Sequence, residues 1–471
     1  MLITPKNVQK TCGSFFFGKE VTAKAHASLS ADIFTELWHG YCFRSSALKL
    51  ESTDELIFSI GNAAPIDCSG YDYAISVTEG GVCLVSDTKE GLARGFISLI
   101  ERIEPVKLSG EDASLKIDCC EIKDKPELAV RMVHICVFPE TELLLFKRIM
   151  RMCGMLKYSH VVLEFWGMLK FDCLPELAWS IGYTKDEVRP ILDEARAMGV
   201  EIIPMFNHWG HATACRLMSG KHVVLDQNPA LQMLFSPDGW SWDLENQDVR
   251  KLHRAVRREL CELCGEGDYF HLGCDEVYEC EEDIHMTEVF LDYLRELTDE
   301  LLAEGRRPII WGDMFLYDHG EGYDKYHFHC KNLEIEKLLF EKTDRRVLIA
   351  DWEYNATKTP LRSSLLFKEQ GFDVICCPWD NTDGNVRANV ETVKDHELFG
   401  MMHTTWHTLT DRGNGMRRIV LAARLAWQGD TDNPKNYRND LSTRAASAWR
   451  KLYFADGNYR NSGWTPEQIQ V

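Results

Sequence analysis

Short apolar runs alternate with amphipathic stretches along most of this chain, from about residue 127 onward. The apolar runs are rich in β-branched residues, which favours buried strands. The stretches between them repeat apolar residues three and four positions apart, which favours helices. Eight candidate strands are indicated, at residues 131–137, 160–166, 201–207, 269–276, 308–314, 346–354, 372–379 and 399–407. The clearest helices between them cover residues 140–155, 185–198, 248–264 and 286–304.

Eight alternations of strand and helix over about 300 residues predict a closed (β/α)8 barrel, the TIM barrel. An open doubly wound sheet uses fewer units, and no G-x-G-x-x-G motif follows the first strand. In such barrels the chemistry lies where strands end and the following loops begin. The polar and aromatic residues at the predicted strand ends are therefore the candidates for a functional site.

The first part of the chain has the pattern of a small α/β unit. Strands are predicted at residues 56–58, 73–77 and 82–85, and the Glu-Gly-Gly turn before the last of them indicates a hairpin. A helix pattern covers residues 92–103.

We expect two domains, a small N-terminal α/β domain over residues 1–115 and a catalytic barrel with C-terminal helices over 116–471. The two helix patterns after the eighth strand, at 417–428 and 437–452, either close the barrel or form the contact of a homodimer.

Composition narrows the class of partner and the compartment. A formal net charge of −20 argues against a nucleic-acid backbone or an anionic membrane surface as the partner. No signal-peptide pattern and no apolar run of about 18 residues is visible. Seventeen cysteines without a secretory signal favour reduced thiols, so we expect a cytosolic protein. Their spacing gives no zinc ligand set, and we expect neither a metal nor a cofactor.

Tryptophan and acidic side chains concentrate at the predicted strand ends. Aromatic faces stack on the C–H face of pyranose rings, and carboxylates fix the ring hydroxyls, so this mixture indicates a sugar site. The tryptophans are Trp311, Trp352, Trp379 and Trp406. Other residues at these ends include Glu164, Asn207, His208, His211, Asp275, Glu276, Asp313, Tyr354 and Asp380.

Asp275 and Glu276 stand side by side at the end of the fourth strand. Neighbouring side chains inside a strand face opposite sides, but the backbone bends at a strand end, so both can reach one cleft. Two carboxylates close together in a low dielectric raise the pKa of one of them. A raised pKa is what a general acid near neutral pH requires.

The segment His-Leu-Gly-Cys-Asp-Glu that ends at Glu276 resembles the H-x-G-G-D-E signature of glycoside hydrolase family 20, the β-N-acetylhexosaminidases. Cys274 stands in place of the second glycine of this signature, and in that respect the segment most resembles the hexosaminidase D subgroup, whose members are cytosolic. Residues 183–184 with 203–211 resemble the family's Y-T and I-P-E-x-D-x-P-G-H segments. Residues 310–314 resemble its W-x-D-M strand, and residues 350–354 resemble the W-x-Y strand of the subgroup.

The resemblance implies an exo-acting, retaining β-N-acetylhexosaminidase that releases terminal, non-reducing β-linked GlcNAc or GalNAc. The acetamide of the substrate would act as the nucleophile and form an oxazolinium ion. Glu276 would protonate the glycosidic oxygen and then activate water. Asp275 would orient the acetamide N–H and stabilise the positive charge, and Tyr354 would hold the acetamide oxygen.

The resemblance also implies a set of substrate-binding residues. Arg131, at the start of the first barrel strand, matches the arginine that contacts the 3- and 4-hydroxyls of the sugar in the family. Asp380 is a candidate to replace a glutamate that many members carry where this chain has Thr408. The preference between GlcNAc and GalNAc therefore stays open. The remaining substrate-binding candidates are His211, Trp311, Asp313, Trp352, Trp379 and Trp406.

Two other functions remain open at this stage. A non-catalytic glycan-binding barrel would keep the pocket without turnover, although a lectin needs no proton donor. A retaining glycosidase with a protein nucleophile would need Glu164 or Asp313 opposite Glu276. His208 and His211 are spaced to share a metal ion, but the other strand ends offer few further ligands, so a hydrogen-bonding role near Glu276 is favoured.

Overall fold

The computed structural model describes residues 1–42, 45–107, 114–213, 221–320, 327–409, 414–429 and 437–452. These residues form a mixed sheet with helices, followed by a closed barrel of parallel strands. The predicted fold class, a (β/α)8 barrel preceded by a small α/β domain, is confirmed.

The first unit is built on a sheet with two main helices. Its elements are β1 (Asn7–Phe17), β2 (Glu20–His26), α1 (Asp32–Tyr41), β3 (Ala47–Thr53), β4 (Ile57–Gly61), β5 (Tyr73–Thr78), β6 (Gly81–Val85), α2 (Lys89–Ile100), β7 (Glu104–Lys107) and β8 (Ser114–Asp124). The strand order is β1-β8-β5-β6-β4-β2-β3, with β7 beside β8. The predicted hairpin is present, because β5 and β6 pair as antiparallel neighbours.

β8 crosses the expected domain boundary at residue 115. It pairs with β1 on one side and with β5 on the other, so the first sheet continues to Asp124. The apolar sides of α1 and α2 pack against this sheet. Phe96 of α2 lies between Phe34 and Phe58, with edge-to-face ring distances of 5.3 and 5.2 Å.

The barrel follows directly, with one or more helices after most strands. Its elements are β9 (Arg131–Val137), α3 (Leu143–Met155), β10 (His160–Phe165), α4 (Lys185–Ala197), β11 (Glu201–Met205), α5 (Val224–Gln227), α6 (Gln247–Cys264), β12 (Tyr269–His271), α7 (Ile284–Ala303), β13 (Arg307–Trp311), α8 (Leu333–Lys342), β14 (Leu348–Trp352), α9 (Arg362–Glu369), β15 (Asp373–Cys377), α10 (Asp383–Asp395) and β16 (Gly400–His403). Each of the eight predicted strands is present, and β16 closes the barrel by pairing with β9.

Several strands end earlier than their sequence pattern suggests. The fourth is the clearest case, because β12 stops at His271, whereas the apolar pattern runs on to residue 276. Gly273, Cys274 and Glu276 have positive φ angles, which lie outside the β region that a regular strand requires. The apolar residues after His271 are buried in a turn, and burial without regular pairing is what misled the prediction.

Apolar side chains fill the barrel interior, and seven of them are fully buried: Met132, Val162, Ile203, Ile309, Leu348, Ile375 and Met402. Because the interior is packed with side chains, the space for a functional site lies at the carboxyl ends of the strands.

Two further helices, α11 (Asn414–Gln428) and α12 (Tyr437–Lys451), complete the described chain. α11 packs on α10, β9 and β16 of the barrel, and α12 packs on α3 of the barrel and on α1 of the first unit. None of the described helices combines the length and the apolar character that crossing a membrane requires. The sixteen cysteines in the described ranges are all free thiols.

Candidate active site

A cavity of about 720 Å³ opens at the carboxyl ends of the barrel strands. Eight of the residues proposed from the sequence line it: His211, Asp275, Glu276, Trp311, Trp352, Tyr354, Trp379 and Trp406. Trp166, at the end of the second predicted strand and also a candidate from the sequence, lines it as well. The lining residues that the sequence did not indicate are Phe138, Lys221, Tyr278, Glu281, Phe328, His329 and Lys331. The cavity is thus aromatic on its walls and charged on one side.

A strained turn after β12 carries the adjacent carboxylates. Gly273, Cys274 and Glu276 have φ angles of 69°, 71° and 50°, and such conformations are costly for residues other than glycine. A Cβ at Gly273 would lie 2.7 Å from the side chain of Asn207. Both the positive φ angle and the lack of space therefore require glycine at this position. The turn brings both carboxylates to the same cavity, as the sequence predicted.

Two hydrogen bonds to the backbone of Glu276 fix the turn. The backbone N–H of Glu276 donates to Asp313 Oδ2 at 2.8 Å, and the indole N–H of Trp240 donates to the carbonyl oxygen of Glu276 at 2.6 Å. Asp275 is fixed separately, because the amide of Asn207 donates to its Oδ1 at 3.2 Å. Both carboxylates are therefore held in place before any substrate binds.

His211 lies between the two carboxylates. Its Nε2 is 3.2 Å from Asp275 Oδ2 and 3.2 Å from Glu276 Oε2. Burial disfavours a charged imidazole, but the neighbouring carboxylates outweigh this effect and raise the pKa of His211 to about 9. Glycine at position 210 lets the segment that carries His211 lie against the turn that carries Asp275. A Cβ at this position would be 2.1 Å from the carbonyl oxygen of Asp275.

The pKa pattern differs from the sequence expectation of one raised carboxyl in the pair. Burial alone would raise the pKa values of Asp275 and Glu276. The positive charges of Lys221 and His211 more than offset burial at Asp275, and the His211 hydrogen bond does so at Glu276, so both pKa values are lowered. The shared proton resides on His211, at hydrogen-bond distance from each carboxylate.

The raised carboxyl is Asp313, whose pKa burial lifts to about 6. Asp313 is fully buried and lies outside the cavity lining. Its Oδ1 accepts a hydrogen bond from the indole N–H of Trp352 at 3.2 Å, and its Oδ2 accepts the Glu276 N–H. The expectation that Asp313 contacts the substrate is therefore corrected, because this side chain supports the turn and one wall.

Aromatic rings form the walls of the cavity. Trp352 stacks on Tyr354 with 5.0 Å between ring centroids, and Tyr354 lies 5.4 Å from Trp379. Trp311 and Trp406 are 5.7 Å apart. The Tyr354 hydroxyl accepts a hydrogen bond from the indole N–H of Trp406 at 2.8 Å, so its own proton is available for an acceptor in the cavity.

Comparison with known proteins agrees with this geometry. Residues 176–407 match the family described as glycosyl hydrolase family 20, catalytic domain. The chain belongs to glycosyl hydrolase family 20. The family assignment implied by the His-Leu-Gly-Cys-Asp-Glu segment is confirmed. No curated protein sequence matches the chain.

Solved structures of family 20 proteins share the fold over nearly the whole chain. The β-N-acetylhexosaminidase of Bacteroides fragilis is 17% identical, with a TM-score of 0.67, and covers 96% of this chain and 97% of its own. A Vibrio harveyi exo-β-N-acetylglucosaminidase in complex with N-acetylglucosamine is 15% identical, with a TM-score of 0.66, over 96% and 77% of the two chains. A mutant Streptomyces plicatus β-hexosaminidase in complex with GlcNAc is 15% identical, with a TM-score of 0.64, over 98% and 97%.

Arg131 does not reach the site of this family 20 protein. It opens β9 and therefore lies at the opposite end of the barrel. Its guanidinium donates to the carbonyl oxygens of Leu128, Ala129 and Lys157 at 2.7 to 3.2 Å and lies over Trp427. The expected contact with sugar hydroxyls is corrected, because the first residue of a barrel strand faces the amino-terminal end.

Asp380 also lies outside the cavity lining. Its Oδ2 is 3.2 Å from His407 Nε2, and its carbonyl oxygen accepts from Arg418. Its neighbour Trp379 does line the cavity. Of these two neighbouring substrate-binding candidates, Trp379 therefore lines the cavity and the expectation for Asp380 is corrected.

Lys221 is the most notable residue that sequence reasoning missed. It is 2% exposed, and its Nζ lies 3.0 Å from Glu164 Oε1 and 3.9 Å from Asp275 Oδ2. The ammonium also lies 5.0 Å from the ring centroid of Trp406. Lys221 belongs to the long connection after the third strand, and no motif or periodicity distinguishes it from a surface lysine.

One group of buried side chains has ligand atoms close enough to hold a metal ion among the residues described. His134 Nε2, Cys136 Sγ and Glu164 Oε2 lie 3.3 to 3.6 Å from one another. These contacts are also hydrogen-bond distances, and the Cys136 thiol lies 3.2 Å from the Thr405 carbonyl oxygen. The Lys221 ammonium beside Glu164 repels a second cation, so a hydrogen-bonded cluster fits these residues better.

His208 points away from His211. Its Nδ1 lies 2.7 Å from the carbonyl oxygen of Phe206, and burial holds the pKa of His208 well below its usual value. The two histidines therefore do not form a ligand pair, and only His211 belongs to the site.

Proposed function

We propose that this protein is an exo-acting, retaining β-N-acetylhexosaminidase that releases terminal β-linked GlcNAc or GalNAc, with the substrate acetamide as nucleophile. The observation that carries the proposal is the shared contact of Asp275 and Glu276 with His211 Nε2, at 3.2 Å each, in a tryptophan-walled cavity. Family 20 neighbours named as β-N-acetylhexosaminidases and β-N-acetylglucosaminidases support it.

In this proposal Glu276 is the general acid and base. It protonates the glycosidic oxygen as the bond to the anomeric carbon breaks, and it later removes a proton from the incoming water. His211 Nε2 lies 3.2 Å from Glu276 Oε2, so the proton that it carries can move to the carboxylate once a substrate has displaced water.

Asp275 remains anionic throughout. The charges of Lys221 and His211 keep its pKa low, which suits a group that must accept the acetamide N–H and stabilise a positive ring. The acetamide oxygen then attacks the anomeric carbon from the side opposite the leaving group. Tyr354, with its hydroxyl oriented by Trp406, donates to the acetamide oxygen and holds it in line. Two displacements at one carbon retain the β configuration.

The two alternatives receive less support. A protein nucleophile would have to be Glu164 or Asp313, and neither of these carboxylates lines the cavity. A lectin would gain nothing from a strained turn that fixes two carboxylates on one protonated histidine, because sugar binding needs no proton transfer.

Hydrolysis of the nitrophenyl β-glycosides of GlcNAc, GalNAc and glucose tests the proposal. We expect cleavage of the acetamido sugars only, and its loss in Glu276→Gln. Glu281→Gln is the matched control, because Glu281 also lines the cavity but contacts His329 at 2.7 Å instead of the pair. Efficient cleavage of the glucoside would indicate a protein nucleophile, and sugar binding without any turnover would indicate a lectin.

We also propose a cytosolic location and a place near the hexosaminidase D subgroup. The free thiols in the described ranges and the Cys274 variant of the signature support these assignments. Cell fractionation tests the location, and an enzyme found in the secreted fraction contradicts it. A homodimer remains a proposal that size-exclusion chromatography with light scattering tests.

A further inference from the structure

Five charged side chains follow one another from the cavity lining, which includes the first four, to the buried Glu164 behind it. Glu276 and Asp275 share His211, Lys221 Nζ lies 3.9 Å beyond Asp275 Oδ2, and Glu164 lies 3.0 Å beyond Lys221. We call this series the charge line. Positive and negative groups alternate along it, which is how so many charges can be buried together.

The order of the charge line matches the order of atoms on a pyranose ring. In the proposed function Glu276 serves the oxygen on C1, and Asp275 serves the acetamide N–H on C2. The next group along the line is Lys221, and the next substituent along the ring is the 3-hydroxyl. The ammonium therefore lies where a hydroxyl next to the acetamide needs a donor.

We propose that Lys221 binds the substrate directly, by donating a hydrogen bond to the 3-hydroxyl of the terminal N-acetylhexosamine. This inference rests on the proposed function, because the ring is oriented by the roles of Asp275 and Glu276. It assigns a contact that the sequence had given to Arg131, a residue at the other end of the barrel.

The surroundings of Lys221 suit such a contact. An ammonium group has three N–H donors, and Glu164 is the single carboxylate of the described chain within 3.5 Å of Nζ. The indole rings of Trp166 and Trp406, at 5.6 and 5.0 Å, flank the ammonium and limit its movement. Donor capacity thus remains on a side chain that is buried, charged and part of the cavity lining.

The other lysine of the cavity lining is less suited. Lys331 donates through its Nζ to the carbonyl oxygen of Phe328, and it lies on the loop that carries His329, beside Glu281. This loop lies beside Glu276, because His329 Nε2 is 3.9 Å from Glu276 Oε1. Lys221 is thus the lysine next to the C2 end of the charge line.

A comparison of substrates and variants tests the contact. The enzymes are the wild type, Lys221→Met and Lys221→Arg, and the substrates are the nitrophenyl β-glycoside of GlcNAc with its 3-deoxy and 4-deoxy analogues. For Lys221→Met we expect kcat/KM on the parent sugar to fall by about 10- to 100-fold, since a hydrogen bond from a charged donor is lost. On the 3-deoxy analogue the variant and the wild type should agree within about twofold.

The 4-deoxy analogue is the control, and on it the full loss in Lys221→Met should persist. An equal loss on all three sugars overturns the inference, because Lys221 would then act only through Asp275 or through folding. Lys221→Arg should recover part of the activity on the parent sugar. If the wild type cleaves none of the sugars, the proposed function itself fails, which is a separate outcome.

Removal of Lys221 leaves Glu164 as a buried, unpaired charge, and Lys221→Met could fail to fold for that reason. The same comparison is then made between Glu164→Gln and the double variant Glu164→Gln/Lys221→Met, in which the charge has been removed. The double variant should again lose activity on the parent sugar and not on the 3-deoxy analogue. An equal loss on both sugars in this pair also overturns the inference.

Discussion

Two buried polar clusters lie at opposite ends of the barrel, and they resemble each other in composition. At the carboxyl ends of the strands, the charge line places Lys221 between Glu164 and Asp275, near Trp406. At the junction with the first domain, Lys157 lies 3.8 Å from Asp124 and 4.4 Å from the ring centroid of Trp427. Each cluster thus combines a fully buried lysine, a carboxylate and a tryptophan.

The clusters differ in how their hydrogen bonds are used. In the junction cluster, Lys157 donates to Ser98 at 2.6 Å and to Tyr73 at 2.9 Å. Asp124 accepts from the Tyr73 hydroxyl and from the indole N–H of Trp427. Donors and acceptors satisfy one another without access to a cavity. The charge line faces a cavity and keeps donor and acceptor capacity there, which is what a ligand can use.

The pKa values of the two lysines reflect this difference. Burial lowers the pKa of Lys157 to about 8, because the opposing charges of Asp124, Glu101 and Asp72 do not outweigh it. Burial also acts on Lys221, but Asp275 and Glu164 together outweigh it and raise its pKa. The types of residue therefore do not distinguish a structural cluster from a functional one. What distinguishes them is whether hydrogen-bonding groups without a partner in the protein face a cavity.

The largest expected effect is the loss of activity in Glu276→Gln. Removal of a general acid and base should lower kcat/KM on the GlcNAc glycoside by about 10²- to 10⁴-fold. The amide keeps the size of the carboxylate, so the thermal denaturation midpoint should stay close to that of the wild type. A loss of less than tenfold would remove Glu276 from this role.

Lys157→Met should show the opposite pattern. Loss of one partner from a buried ion pair costs about 3–5 kcal/mol of unfolding free energy, measured by urea denaturation. Activity below the denaturation midpoint should be unchanged. Because the pKa of Lys157 is lowered from 10.5 to about 8, the wild type should gain stability relative to Lys157→Met as the pH rises between these values. A fully folded Lys157→Met variant that has lost turnover would contradict the assignment of the junction cluster to structure alone.

His211→Asn should reverse that pH dependence. The folded protein raises the pKa of His211 from 6.5 to about 9, so the charged imidazole stabilises the fold fully below pH 6.5. This contribution, on the order of 3 kcal/mol, is lost as the pH rises through 9. Urea denaturation of both proteins from pH 6 to 10 should show the difference shrinking. A constant difference would mean that His211 is neutral.

Asp380→Ala should have a small effect. Asp380 is partly exposed and contacts His407 outside the cavity lining, so the ratio of kcat/KM between GlcNAc and GalNAc glycosides should stay within about twofold. A larger change would restore Asp380 as a substrate contact, as first expected from the sequence.

Chelation should have the smallest effect of all. The proposed chemistry uses carboxylates, an imidazole and the substrate acetamide, so activity should be the same before and after treatment with EDTA. Loss of activity that zinc restores would assign the His134, Cys136 and Glu164 group to a metal ion.

The domain boundary illustrates what a local pattern leaves out. Residues 114–124 alternate apolar and polar side chains, which identifies a strand but not its partners. β8 pairs with β1, about a hundred residues away along the chain, and this pairing assigns it to the first sheet. Register between distant strands depends on the assembled sheet.

Local sequence patterns were enough to predict the barrel, the aromatic strand ends and the Asp275-Glu276 pair, because strand periodicity and adjacent residue types are local properties. The tertiary structure decided which end of the barrel each charged side chain occupies. Arg131 proved to belong to the amino-terminal end, and Asp313 lies behind the turn it supports. Lys221 reaches the site from a connecting loop. Charges on distant segments acquire a function only when packing buries them beside one another, and no short stretch of sequence encodes that neighbourhood.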